Sequence, residues 1–103
     1  MDLPRLSKKE ALILELLVAR GEMYGLELVE ASGGALKRGT VYVTLSRMAD
    51  KGYVESRQVK EEGEAGLPRR VFQATGFGVR VLRARDLAAL VMRGGFADDG
   101  AAF

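Results

Sequence analysis

This chain of 103 residues contains no cysteine and no histidine. The first absence excludes a disulfide framework and any chemistry that starts from a thiolate. The two together remove the usual ligands for zinc, copper and nickel, so no metal and no other cofactor is expected. Long apolar runs are missing too. The run from Ala11 to Leu14 is cut by Glu15 and resumes only to Ala19, far short of a bilayer span. No stretch has the make-up of a signal peptide, and a cytoplasmic location is the expectation. A glycine-rich phosphate loop of the required spacing is also absent. The acids occur singly on helices or together at Glu61, Glu62 and Glu64, so no catalytic residues and no enzyme activity are expected.

What is present is an ordinary globular composition, 48% hydrophobic and 29% charged, enough for one modest core. Residues 1–93 are expected to form one domain, and 94–103 a disordered tail, because GGFADDGAAF has no periodicity. The formal charge of +2 is unevenly placed. Leaving out that tail, which holds Asp98 and Asp99 and no base, sixteen bases face twelve acids. Between Lys37 and Arg57 the bases Lys37, Arg38, Arg47, Lys51 and Arg57 outnumber Asp50 and Glu55. A local excess of this kind suits a polyanion, and it also suits a plain solvated face.

The order of elements narrows the choice. Ser7-Lys8-Lys9-Glu10 has the form of a capping box, so a helix should start there and run to Gly21. Eight of its nine positions from Ala11 to Ala19 are apolar, too many for one buried stripe, which implies either a surrounded central helix or a subunit interface. Met23 to Ser32 reads as a second helix, with Leu26 and Val29 at i, i+3, Leu28 flanking them and Gly33-Gly34 as its stop. A third helix begins near Arg38 or Gly39. Two helices joined by a glycine-containing turn make a helix-turn-helix, in which the second helix enters a DNA groove. On that helix Val41, Leu45 and Met48 form one narrow stripe, while Thr40, Val43, Thr44, Arg47 and Lys51 share the other side. Gly52 ends it, and strands over Tyr53–Lys60 and Val71–Ala74 flank a glycine-rich hairpin tip. Arg69 and Arg70 stand at the base of the return strand, as phosphate contacts or as a solvated pair. Thr75 is a plausible cap for a last helix, about 76–93, which carries Val81, Ala84, Leu87, Ala88, Val91 and Met92 on one broad side. That side has no obvious home within the chain. The fold class is therefore mainly α with a small β-hairpin (α+β), a winged helix-turn-helix.

The segments LLVARGEMYGLEL, GTVYVTLSRMADKGYVES and GEAGLPRRVFQAT resemble the PadR-like transcriptional regulators, named for control of phenolic acid decarboxylase. The likeness spans about Ala11 to Leu82, most of the chain. It implies a homodimeric, DNA-binding repressor that pairs through its N- and C-terminal helices, in a family many of whose members respond to small hydrophobic or aromatic compounds. Gly39, Thr40, Tyr42 and Arg47 match its recognition-helix residues, and Arg69-Arg70 the basic pair after the wing proline. This chain departs from the family pattern in two places. It has Leu26 where a tyrosine is usual, with the ring displaced to Tyr24, and Gly-Phe-Gly after Thr75 in place of glutamates.

The resulting expectation is a sequence-specific regulator, a repressor that binds a pseudo-palindromic operator as a dimer. Lys37, Arg38, Lys51, Arg69 and Arg70 would anchor phosphates, and Thr40, Val43, Thr44 and Arg47 would face base edges, with Gly39 and Tyr42 beside them. Tyr42 lies between the two helix faces and suits a phosphate contact or a half-buried packing role. Leu14, Val18, Val81, Ala84, Leu87, Ala88, Val91 and Met92 are expected at the dimer interface. That seam admits two readings, a cavity for a small hydrophobic effector or a filled core with none. The alternative function is a winged helix that docks on protein without specific DNA binding.

Overall fold

The computed structural model describes residues 5–59 and 69–93. The expected wing tip, with Glu61, Glu62, Glu64 and Pro68, and the expected disordered tail 94–103 lie outside the described residues. The elements run α1 (Lys8–Arg20), β1 (Met23–Tyr24), α2 (Gly25–Ala31), α3 (Arg38–Asp50), β2 (Val54–Val59), β3 (Arg69–Ala74) and α4 (Gly76–Met92).

α1 starts where its capping box requires. The Ser7 hydroxyl accepts from the Glu10 amide at 3.1 Å, and the Glu10 carboxylate accepts from the Ser7 amide at 2.9 Å. Gly21, at φ 84°, closes the helix. Ile13, Leu14 and Leu17 point into the core, where they meet Leu28, Leu36, Val41, Leu45, Met48, Tyr53 and Phe72. Leu12 and Leu16 are only partly buried and Val18 is exposed, so the excess of apolar residues on α1 does reach a second side.

Helix α2 is shorter than its sequence pattern suggests. Met23 and Tyr24 are extended and pair antiparallel with β3, Met23 opposite Phe72 and Tyr24 opposite Val71. The expected two-stranded hairpin is therefore a three-stranded antiparallel sheet in the order β1-β3-β2. A two-residue strand carries no periodicity of its own. What ends it is visible only in space: the Glu27 carboxylate accepts from the Tyr24 amide at 2.7 Å and so caps the first turn of α2. Within α2 Leu28 is the fully buried side chain, and Leu26 and Val29 are partly buried, Val29 against the core. The turn into α3 is tied by Ser32, whose hydroxyl donates to the Val29 carbonyl and accepts from the Leu36 amide. Gly33 and Gly34 there have positive φ, which favours glycine.

The buried stripe of α3 is as expected: Val41, Leu45 and Met48 are all but inaccessible. Truncating any one of them to alanine would cost about 2–5 kcal/mol by the usual scale for buried aliphatic residues. α4 is rooted firmly despite its two early glycines. The Thr75 hydroxyl accepts from the Gly78 amide and donates to the Gly52 carbonyl, so one side chain caps the helix and clasps it to the end of α3. Gly78 itself is a packing requirement, because a Cβ there would collide with the Tyr53 carbonyl oxygen. Beyond Gly78, Val81 and Leu82, little of α4 is buried.

Two interface expectations need correction. Leu14 and Val81 belong to the chain's own core and have no surface left for a partner. Their positions in apolar stretches could not separate inward from outward residues where both sides of a helix are apolar.

Candidate nucleic-acid interface

The inward stripe of α3 leaves its opposite side in solvent. Thr40, Val43 and Arg47 are exposed there and Thr44 is half-buried, with the Thr44 hydroxyl donating to the Thr40 carbonyl at 3.2 Å. Val43 is 53% exposed, an aliphatic side chain with no packing role among the described residues that would explain it. Lys37, Arg38 and Gly39 stand at the start of the helix, all exposed, and Lys37 makes no side-chain cap. A Cβ at Gly39 would meet open space, so nothing inside the protein calls for glycine at that position. Gly39 leaves room for another molecule to approach the first turn.

The described bases between Lys37 and Arg70 divide into two groups. Lys51 donates to Glu10 at 2.9 Å, joining the end of α3 to the start of α1. Burial pushes the Glu10 carboxyl up, but the Ser7 amide and the Lys51 ammonium outweigh it and hold the group below its ordinary range. Lys51 therefore already serves the fold. Arg57 is similarly occupied, since its guanidinium grips the Glu22 carboxylate through two hydrogen bonds of 2.7 and 3.0 Å. That grip holds Glu22 below the usual carboxylate range, chiefly through the hydrogen bonds from Arg57. The second group comprises Lys37 and Arg38 at the start of α3 and Arg47 along it, with Arg69 and Arg70, which have contacts of their own, at the foot of the wing.

At that foot, β3 brings the two arginines beside the flank of α3. Arg70 donates to the Ser56 hydroxyl at 2.9 Å. Arg69 stacks on the Tyr24 ring, its guanidinium carbon 3.9 Å from the ring centroid. Tyr42 is 49% exposed, and the hydroxyl end of its ring lies over Gly25. Sequence reasoning did not place Tyr24 and Gly25 against Arg69 and Tyr42. The displaced ring at position 24 was the available signal, but its meaning depends on the register of β1 with β3.

On α4, Ala84, Leu87, Ala88 and Val91 fall within an arc of about 100° on the side away from the core. All four are exposed, as are Leu90 and Val18, and Met92 at the helix end is 85% exposed.

The sequence pattern of the transcriptional regulator PadR-like family matches residues 13–84. The chain belongs to the PadR-like family. Among solved structures, the PadR-like fold here is similar to the transcriptional-regulator candidate TA0346 of Thermoplasma acidophilum, at 31% identity and TM-score 0.68, covering 87% of each chain. A PadR family regulator of Clostridium difficile R20291 shares the fold at 23% identity and TM-score 0.73, with 88% of this chain and 96% of that one covered. Bacillus subtilis PadR, solved in complex with operator DNA, matches 78% of this chain and 47% of its own length, at 21% identity and TM-score 0.67. A search of curated sequences gives no significant match. The protein is thus a transcriptional regulator of the PadR-like family with a winged-helix fold. No helix among the described residues is long and apolar enough to cross a membrane.

Proposed function

We propose that this PadR-like protein is a sequence-specific repressor that binds a pseudo-palindromic operator as a homodimer. The observation that carries the reading is the exposed side of α3, where Thr40, Val43, Thr44 and Arg47 stand free of the core beside Tyr42, Arg69 and Arg70. Short polar side chains, one methyl-bearing residue and one arginine suit a major groove. Arg47 would donate to guanine, and Val43 would touch a thymine methyl. Lys37, Arg38, Arg69 and Arg70 would fix the register on phosphates, and Gly39 would let the backbone come close. Lys51 has a smaller share in this scheme, because Glu10 engages its ammonium group.

Dimerisation is the second element of the proposal. Residues 1–93 act as one winged-helix unit, with α4 as its pairing helix. Ala84, Leu87, Ala88, Val91 and Met92 on α4, with Val18 on α1, offer apolar surface that a second copy would cover. Ala84 and Ala88, one turn apart, allow close helix approach. Of the two readings of the seam, the filled interface is favoured. Leu14 and Val81, expected to help line an effector cavity, are used up in the core. Twofold symmetry would then place two α3 helices about one turn of DNA apart.

Selection of duplexes from a random pool, followed by binding isotherms at several salt concentrations, tests the proposal. Log affinity should fall linearly with log salt, by about 0.9 for each phosphate anchored. An affinity that does not respond to salt, or a protein that retains no duplex, would overturn it.

A further inference from the structure

Between α2, α3 and the foot of the wing lies a pocket of about 260 Å³ lined by Tyr24, Leu26, Tyr42, Arg69 and Arg70. Two independent contacts shape it. The first is the stack of Arg69 on Tyr24. Tyr24 is opposite Val71 in the sheet, and Arg69 precedes Val71 by two residues, so the pair are diagonal neighbours across β1 and β3. Diagonal positions are within reach of an aromatic ring and a long side chain. The stack engages the face of the guanidinium, whereas its N–H donors lie in the plane, directed past the ring edge. The second contact is the seating of Tyr42 on Gly25. A Cβ at Gly25 would come within 2.6–2.7 Å of Cε1, Cζ and Oη of the Tyr42 ring. Gly25 is not among the glycines with positive φ, so close approach alone accounts for the missing side chain. Arg70, tied to Ser56, completes the rim.

We propose that Tyr24 and Gly25 are positioning residues for a phosphodiester subsite. Tyr24 aims the donors of Arg69, and Gly25 seats the Tyr42 hydroxyl, at one pocket that takes a single backbone phosphate of DNA. This inference rests on the DNA-binding reading above and adds to it. The wing foot and the flank of α3 act on the same phosphate, and both are set by consecutive residues at the junction of β1 and α2. The chemistry fits. A phosphate oxygen accepts from guanidinium and phenol donors, and the adjacent Leu26 side chain limits the water that competes for them. The subsite also explains why a half-buried aromatic-arginine stack should lie beside the recognition helix.

The test is a pair of double-mutant cycles with a selected operator duplex, alongside thermal unfolding of every variant. Tyr24→Phe keeps the ring and should bind within about twofold of the parent, whereas Tyr24→Leu should lose roughly tenfold, the effect of one charge-assisted contact. With Arg69→Ala already present, Tyr24→Leu should change little further, and each of these two variants should lower the salt slope by about 0.9. Gly25→Ala pushes against the far end of a mobile ring, so it tests the second contact without demanding a rebuilt fold. It should weaken binding in the parent and be nearly silent in a Tyr42→Phe background. Additive losses in both cycles, or a salt slope that Tyr24→Leu leaves unchanged, would overturn the positioning role. A parent protein with no salt-dependent binding would instead remove the DNA-binding reading on which the subsite depends.

Discussion

Helices α3 and α4 are built on the same core and differ in what they leave uncovered. α3 buries Val41, Leu45 and Met48 along its whole length and exposes Thr40, Val43 and Arg47, with Thr44 half-buried beside them. α4 buries only Gly78, Val81 and Leu82 near its root, and its far half exposes Leu87, Leu90, Val91 and Met92. A helix that is braced throughout and polar outside holds its side chains in place for a hydrated, charged partner. A helix that is braced at one end and apolar outside has surface that water does not satisfy, and the matching partner is another apolar helix. The same chain thus carries two kinds of unfinished surface, one suited to nucleic acid and one suited to protein.

The sharpest way to break this contrast is to charge the apolar side of α4. Leu87→Asp with Val91→Asp should leave the protein monomeric by light scattering and lower operator affinity by roughly 100-fold or more, because the two half-sites are no longer linked. The melting temperature of the monomer should hardly move, since neither residue is in the core. A dimer that survived would shift the seam to another surface. On α3 the expected change is smaller and of a different kind. Arg47→Ala should relax preference at one base pair by about 1–3 kcal/mol, read by competition between operator variants, with other positions unaffected.

A third measurement checks whether Lys51 belongs to the fold or to the polar face. The folded Glu10 pKa is depressed, so the pairing stabilises the protein above the ordinary carboxylate range and is lost as pH falls through the folded value. Glu10→Gln, which keeps the acceptor for the Ser7 amide, should cost about 1 kcal/mol at neutral pH by chemical denaturation. It should also flatten the loss of stability on acidification. An unchanged acid profile would return Lys51 to the DNA side. The smallest expected effect is at Gly39. Alanine there should stabilise the helix by at most about 1 kcal/mol in thermal unfolding while weakening operator binding. Stabilisation without weaker binding would mean that no partner backbone approaches the first turn.

Much of this contrast was legible in the sequence, and its gaps have a common cause. The stripe of α3, the capping box of α1 and the Thr75 cap are local patterns, set by residues a turn or less apart, and the structure reproduces them. The apolar residues Ala84, Leu87, Ala88, Val91 and Met92 of α4 also read as a face without a home in the chain, and they are exposed. The failures all required knowledge of what lies across the fold. Leu14 and Val81 resemble their apolar neighbours until the core claims them. Lys51 reads as a free base until Glu10, 41 residues earlier, is brought to it. β1 is two residues long, and Met23-Tyr24 look like the start of a helix until β3 pairs with them. Gly25 looks like a weak helix residue. Only the ring of Tyr42 above it shows that its lack of a side chain is what matters.

Gly78, pressed against the Tyr53 carbonyl, anchors the root of α4 so tightly that the helix behaves as an arm with a set phase. Its 17 residues reach about 25 Å at the usual rise. One residue inserted beyond Leu82 would rotate every later side chain by about 100° and turn the apolar side away from its partner. Seven would restore the phase to within about 20° and lengthen the arm by about 10 Å. In a dimer paired through this helix, the separation of the two half-sites is therefore adjustable only in near-whole turns. Operators with intermediate spacings would lie outside the reach of any variant that differs from this one only in the length of α4.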